Sequence, residues 1–301
     1  MLMRIGAFEI AEPLPELHDP HVLTVLRPWV DVGKVGTLVL SRLERHMGSQ
    51  DLGELARPGT FFDFTRYRPK TRLVAGEREI TIPNSTISYA RREEHPDFLF
   101  FNMREPHAFG EDYVESVMEV FKTFGVKRYC MIGGMYDVVP HTRPLMVSGA
   151  ATGREVSEEV RRVRVQNSNY QGPTSITFMI AQEASKIGIE HMSFVVHLPQ
   201  YVQLKEDYAG AARLMDLLCT IYRLPPRLAD EERGQRQYQE LTAAVERNPE
   251  LKGVLGQLEA QYDARQGSLE REEERLPLSP EVEKFLLELD QRDDDDKGDV
   301  D

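Results

Sequence analysis

Apolar positions along the chain fall into two spacings, one typical of buried strands and one typical of amphipathic helices. Apolar runs at 22–26, 97–102, 128–132 and 191–198 predict strands. Between them, apolar residues at helical spacing predict helices over 36–47, 113–124 and 173–187, with Pro173 at the first helical position of the last. Strands that alternate with helices predict an α/β fold with helices on both faces of the sheet.

Two further regions have patterns of their own. Residues 52–92 read as strands and turns, and the alternation over 79–83 predicts a hairpin arm near the edge of the sheet. After residue 229 the chain is polar and helical, with a broken apolar stripe and a second stripe at 282–289 behind the N-cap pair Ser279–Pro280. We therefore expect an α/β domain over 1–228, a helical extension over 229–292 and a disordered acidic tail over 293–301.

Charge divides the chain at the same place. Residues 230–301 carry 22 acidic and 10 basic side chains, whereas residues 1–229 carry 28 acidic and 27 basic side chains. A neutral body lacks the basic face that nucleic-acid binding requires. The run from Asp293 to Lys297 also matches an enteropeptidase cleavage site, so a natural acidic tail and an added tag are both open interpretations.

The remaining composition favours a cytoplasmic protein that works without a metal or other cofactor. The two cysteines, Cys130 and Cys219, lie in apolar surroundings and are interpreted as buried reduced thiols. No stretch has the roughly 18 apolar residues of a membrane helix, no signal peptide is visible, and no Cys/His group has zinc spacing.

A glycine-rich turn between the first strand and helix is a candidate ligand site. It holds Asp31, Gly33, Lys34 and Gly36, with neither the dinucleotide nor the P-loop spacing. One interpretation is an anion or phosphate cradle with Lys34 supplying charge. The other is a tight turn that allows close packing of helix on strand.

A second candidate is the segment over 133–144, which we expect to be a long loop after a strand. It contains Gly133, Gly134, His141 and Arg143. A histidine and an arginine beside paired glycines suit an anionic ligand. Alternatively, the prolines at 140 and 144 stiffen a connection in which Arg143 pairs with a local acid.

Two more candidates complete the predicted cleft. Tyr170 and Gly172 lie in a polar loop that leads into a helix, and His197 closes the last strand of the core. His197 is either a general base or a hydrogen-bonded structural residue, and the sequence identifies no carboxylate that orients it. The chain has no Gly-x-Ser-x-Gly elbow, which argues against a serine hydrolase of that type.

These blocks together resemble the PAC2 family, proteins related to the eukaryotic proteasome assembly chaperone 2. The resemblance covers about residues 20–224 and looks most like the bacterial, actinobacterial-type members. Its blocks are the turn at 31–36, Glu105–Pro106, 139–144, 170–174 and 197–201. It implies a three-layer α/β/α sandwich similar to the purine nucleoside phosphorylase and peptidyl-tRNA hydrolase type. Eukaryotic and archaeal members assemble or bind proteasomes, and archaeal binders use a C-terminal hydrophobic–Tyr–any-residue tail, which the final residues 298–301 lack.

Two functions follow as expectations. The first is a non-enzymatic, self-associating protein with an assembly or chaperone-like role, a homo-oligomer with a trimer as first guess and a possible protein partner. The second is a small-molecule binder or enzyme that takes an anion, nucleoside or phosphate compound in a strand-end cleft. The sequence contains no recognisable catalytic constellation, so the first function is favoured.

Overall fold

The computed structural model describes residues 1–273 except 164 and 169. Its strands are β1 (Leu2–Ile5), β2 (Phe8–Ala11), β3 (His21–Arg27), β4 (Gln50–Leu55), β5 (Lys70–Val74), β6 (Glu77–Thr81), β7 (Thr86–Ala90), β8 (Phe98–Arg104), β9 (Arg128–Asp137), β10 (Val147–Thr152), β11 (Gln166–Asn167) and β12 (Glu190–Pro199). Its α-helices are α1 (Val35–Met47), α2 (Gly110–Phe124), α3 (Arg154–Arg162), α4 (Ile176–Lys186), α5 (Tyr208–Tyr222), α6 (Glu231–Glu246) and α7 (Pro249–Glu273).

Ten of these strands form one mixed sheet, in the order β1-β2-β4-β7-β8-β3-β9-β12-β10-β11. The centre of the sheet, β8-β3-β9-β12, is parallel, and β7 and β10 flank it antiparallel. The parallel strands are apolar on both faces, because helices cover both. Cys130 and Tyr129, neighbours in β9, belong to different apolar clusters on opposite faces.

The two clusters define the layers of the molecule. Buried side chains of α1, α3 and α5 pack on one face of the sheet, and those of α2 and α4 pack on the other. The predicted three-layer α/β/α sandwich is confirmed. Helix α6 packs against α5, and α7 contacts α6, so the described part of the helical extension lies outside the α1/α5 layer.

Two local predictions were wrong. Strand β9 continues to Asp137, so Gly133 and Gly134 lie within a strand and not in a loop. Helix α4 begins at Ile176 behind Ser175, three residues after Pro173, because the Glu105 carboxylate accepts the Ile176 amide at 3.0 Å and fixes the start there. The predicted hairpin arm is present as a two-stranded sheet of β5 and β6, which among the described residues pairs with no strand of the large sheet.

The predicted helix behind Ser279 and the acidic tail over 293–301 lie outside the described residues. The boundary at 228/229 stays a prediction. Among the described helices, none combines the length and the apolarity needed to cross a membrane.

Candidate functional site

The glycine-rich turn between β3 and α1 is filled by the protein's own groups. Asp31 accepts hydrogen bonds from the Thr37 amide at 3.0 Å and the Thr37 hydroxyl at 2.5 Å. Its carboxylate therefore occupies the helix N-terminus that an anionic ligand would use. Burial raises the pKa of Asp31, against the opposing effect of these hydrogen bonds.

The turn glycines allow close packing on two sides. A Cβ at Gly36 would lie 2.7 Å from the Val25 side chain, and one at Gly33 would lie 2.7 Å from Asp207. The side chain of Lys34 pairs with Glu206 at 3.0 Å. These internal contacts favour the tight-turn interpretation over the phosphate cradle.

His141 joins the sheet to the C-terminal helices. Its ring is buried, with Nδ1 hydrogen-bonded to the Tyr201 hydroxyl and Nε2 to the Thr242 hydroxyl of α6 at 3.0 Å. Burial lowers the pKa of His141, which Glu259 partly offsets. A neutral imidazole with both nitrogens engaged fits a structural role.

Arg143 faces two carboxylates of α7. Its guanidinium donates to both oxygens of Asp263 at 2.8 Å and to Glu259 at 3.2 Å. The guanidinium that could bind an anionic ligand is thus engaged by the carboxylates of α7. This arrangement favours the second interpretation of Arg143, a local ion pair.

A cleft of about 550 Å³ lies between the segment at 141–145, α5 and α6. Of the predicted site residues, His141 and Arg143 line it, whereas the turn at Gly33 and the loop at Tyr170 do not. Its walls carry both signs of charge, with Arg213 and Asp216 on α5. Tyr170 is exposed and donates to the carbonyl of Pro173 at 3.1 Å, with Gly172 beneath its ring.

The neighbouring strands β9, β12 and β10 hold an arrangement of side chains that the sequence did not reveal. His197 on β12 hydrogen-bonds through Nδ1 to the Asp137 carboxylate at 2.7 Å and through Nε2 to the Ser148 hydroxyl at 2.8 Å. The three residues come from β9, β12 and β10, which are adjacent in the sheet. Asp137 is at the carboxyl end of β9, where parallel α/β sheets place their sites.

The hydrogen bonds fix one proton of this triad. A carboxylate only accepts, so His197 donates from Nδ1 to Asp137. In the neutral tautomer that carries this proton, Nε2 accepts from the Ser148 hydroxyl. Burial raises the pKa of Asp137, but hydrogen bonds from His197 and the Val138 amide outweigh it, so the pKa is below its usual value. Asp137 was missed because the predicted strand ended at 132, which left the register of β9 against β12 unknown. Ser148 was missed because no strand was predicted over 147–152.

A metal-ligand geometry occurs once among the described residues. His18, His95 and Asp97 have potential ligand atoms within 4.8 Å of one another. Both oxygens of Asp97, however, accept backbone amides, from His18 and Arg92 at 2.8 Å each. The Asp97 carboxylate is thus accounted for by its role in joining two loops.

The family comparison agrees with this architecture. The model of the PAC2 family matches residues 25–243. The chain belongs to the PAC2 family. No protein of curated function matches the sequence at a significant level.

Solved structures of PAC2 proteins share the fold. A PAC2 family protein from Streptomyces avermitilis is 21% identical, with a TM-score of 0.70 over 79% of this chain and 100% of that chain. A proteasome-assembly chaperone homologue of Mycobacterium tuberculosis is 23% identical, with a TM-score of 0.69 over 78% and 99%. An archaeal proteasome activator from Pyrococcus furiosus is 15% identical, with a TM-score of 0.61 over 79% and 99%. At these identities the likeness shows the fold alone.

Proposed function

We propose that this PAC2 protein is a self-associating protein with an assembly or chaperone-like role, built on contacts that its hairpin arm makes. The similar structures include a proteasome-assembly chaperone homologue and an archaeal proteasome activator, both named for a role toward another protein. The family therefore supports a protein-binding role. The observation that carries the proposal for this chain is the arm of β5 and β6.

Every residue of β5 and β6 is exposed, and the two strands pair only with each other. An isolated two-stranded hairpin is marginally stable in water and needs a further strand or a packing surface. Leu73 is 72% and Ile80 66% exposed. The register, Thr71 opposite Ile80 and Leu73 opposite Arg78, places both apolar side chains on one face. The arm thus presents an unpartnered apolar face and two open strand edges.

The charges of the arm suit a second copy of this chain. Strand β5 carries Lys70 and Arg72, whereas β6 carries Glu77 and Glu79. The same register places these four side chains together on the other face, whereas Arg78 of β6 lies on the face of Leu73 and Ile80. When β5 of one copy lies beside β6 of the next, opposite charges meet. A contact between unlike edges is heterologous, and it forms a ring when the rotation between successive copies closes. The pairing supports a homo-oligomer, and a cyclic trimer is the form that we propose first.

Light scattering on size-separated protein tests the proposal. We expect the intact chain to have the mass of a closed oligomer at micromolar concentration, and the Leu73→Ser/Ile80→Ser double variant to have the mass of a monomer. Val74→Ser, on the opposite face of the arm, is the matched control and should keep the oligomer. A monomeric intact chain, or an oligomer that the double variant leaves unchanged, would overturn the proposal.

A further inference from the structure

The arrangement of Ser148, His197 and Asp137 has the geometry of an acyl-transfer site. We propose that Ser148 is a nucleophile activated by His197, that Asp137 positions the imidazole, and that the site takes a small acyl ester or thioester. The enzyme alternative drawn from the sequence placed an anion in a glycine-lined cleft. This site keeps His197 as the base, but it takes its nucleophile and orienting acid from residues that were not candidates, and its chemistry is different.

Geometry supplies the first argument. Nucleophilic catalysis by serine needs a base within hydrogen-bond reach and a third group that orients the base. The distances of 2.8 Å from His197 Nε2 to the Ser148 hydroxyl and 2.7 Å from Nδ1 to Asp137 meet both conditions. Convergent sites of this kind are recognised by geometry and not by sequence order, so the missing elbow motif does not exclude one.

Access supplies the second argument. Ser148 and His197 project from the face of the sheet that carries α2 and α4, because their strand neighbours Val147, Val196 and Leu198 belong to the cluster on the opposite face. Met135, the register partner of His197 in β9, is 39% exposed, and Val138 just beyond the strand is 58% exposed. Ser148 is itself half-buried. Part of Ser148 is therefore in contact with solvent. Its surroundings are mixed, because Gln166 is its register partner in β11 and the charge of Arg265 acts on Asp137.

The reaction balances with water as the only co-reactant. The Ser148 hydroxyl oxygen attacks the acyl carbon while its proton passes to His197 Nε2. The tetrahedral intermediate collapses, the bond to the alcohol or thiol breaks, and that leaving group takes the proton from Nε2. Water then attacks the acyl–Ser148 ester with His197 again as base, which releases the acid and restores the hydroxyl.

The strand position of Ser148 limits the rate. Strand β10 lies between β12 and β11, so its backbone amides take part in the sheet ladder. Serine hydrolases normally use free amides to hold the oxyanion. Without that pair of donors, we expect the site to act on activated acyl groups, such as thioesters and aryl esters, and slowly on ordinary esters.

A fluorophosphonate probe and p-nitrophenyl acetate test the site in the intact chain. The probe should label Ser148, identified by mass spectrometry of the digested protein, as the serine oxygen displaces fluoride from phosphorus. Ser148→Ala should abolish labelling and ester hydrolysis. His197→Gln should lower the labelling rate by roughly 10²- to 10⁴-fold, the usual contribution of a general base. Asp137→Asn should lower the rate and Asp137→Glu should restore part of it, at unchanged melting temperatures.

The matched control is Ser193→Ala. Ser193 lies on the neighbouring strand β12, and its hydroxyl accepts the Ala150 amide at 3.1 Å without contacting the triad. This variant should label at the rate of the unaltered protein. Failure of Ser148 to label in a folded protein, or labelling at the same rate in the His197→Gln variant, would overturn the proposal. Either result leaves the oligomer measurement untouched.

Discussion

Buried histidines make the stability of this fold depend on pH. Burial lowers the pKa of His191 to about 4, and burial together with the nearby arginines at 128 and 92 lowers the pKa of His21 to about 3. In the unfolded chain both would titrate near pH 6.5. Below that pH the unfolded state binds protons that the folded state does not, so acid favours unfolding.

We therefore expect the His191→Gln variant to lose part of this pH dependence. Between about pH 6.5 and the folded pKa, one such imidazole changes the free energy of unfolding by about 1.4 kcal/mol per pH unit. Urea unfolding at several pH values should show that slope in the difference between the unaltered protein and the variant. His46→Gln, at an exposed position of α1, is the control and should leave the profile unchanged. A difference that does not vary with pH would contradict the burial argument.

At the residue scale, the sequence identified some reactive side chains but not the residues that they contact. His197 was identified as a candidate base because it closes a buried strand. Its partners Asp137 and Ser148 come from two other strands, and they meet it only through the sheet register. Similarly, the acid that neutralises Arg143 lies 120 positions away on α7, which no local pattern reveals. The glycines at 33 and 36 were recognised as a turn. That the Asp31 carboxylate occupies this turn became clear only from the structure.

At the element scale the C-terminal helix α7 is held by a few polar contacts. Arg143 binds Asp263 with both arms of its fork, Thr142 donates to Glu259 at 2.5 Å, and Tyr262 donates to the Pro144 carbonyl at 2.8 Å. Helix α7 buries few apolar side chains, notably Leu255 and Leu258. Its local stability therefore depends on the segment at 142–144.

Replacing Arg143 should loosen α7 and leave the sheet intact. In the Arg143→Met variant we expect faster hydrogen exchange over 249–267, by less than about tenfold because partly exposed ion pairs are weak. In the Arg143→Lys variant the exchange rate should lie between those of the unaltered protein and Arg143→Met, because lysine keeps the charge but lacks the two-pronged guanidinium. Lys186→Met removes an exposed pair with Glu183 of similar type and serves as the control. Unchanged exchange in α7 with a lowered melting temperature would show that Arg143 supports the core instead.

The sequence predicted which segments are strands and which are helices better than it predicted where each one begins and ends. Strong periodicity predicted β3, α1, α2 and β12, because their burial pattern is a property of their own residues. Strand β9 was cut short at its glycines. Gly133 is needed there because a Cβ would lie 2.1 Å from the Val30 carbonyl, a tertiary reason that leaves no local signal. The start of α4 was misplaced for the same kind of reason, since the distant Glu105 carboxylate sets it.

At the scale of the whole molecule, the sandwich buries its apolar side chains, whereas the arm leaves its apolar side chains exposed. Two apolar clusters fill the space between the sheet and its helices. The arm of β5 and β6 instead exposes Leu73 and Ile80 together with open strand edges. A second copy that adds a strand to the arm would satisfy those edges and cover the apolar face. Self-association through the arm is the central claim of the proposed function.

Hydrogen exchange of the peptide over 70–81, measured across a series of protein concentrations, tests that claim most directly. Outward amides of β5 and β6 are open in one copy and become hydrogen-bonded when a neighbouring arm pairs with them. We predict slow exchange of this peptide at high concentration and fast exchange on dilution, while peptides of β9 and β12 stay constant. Fast exchange of the arm at every concentration would contradict the account.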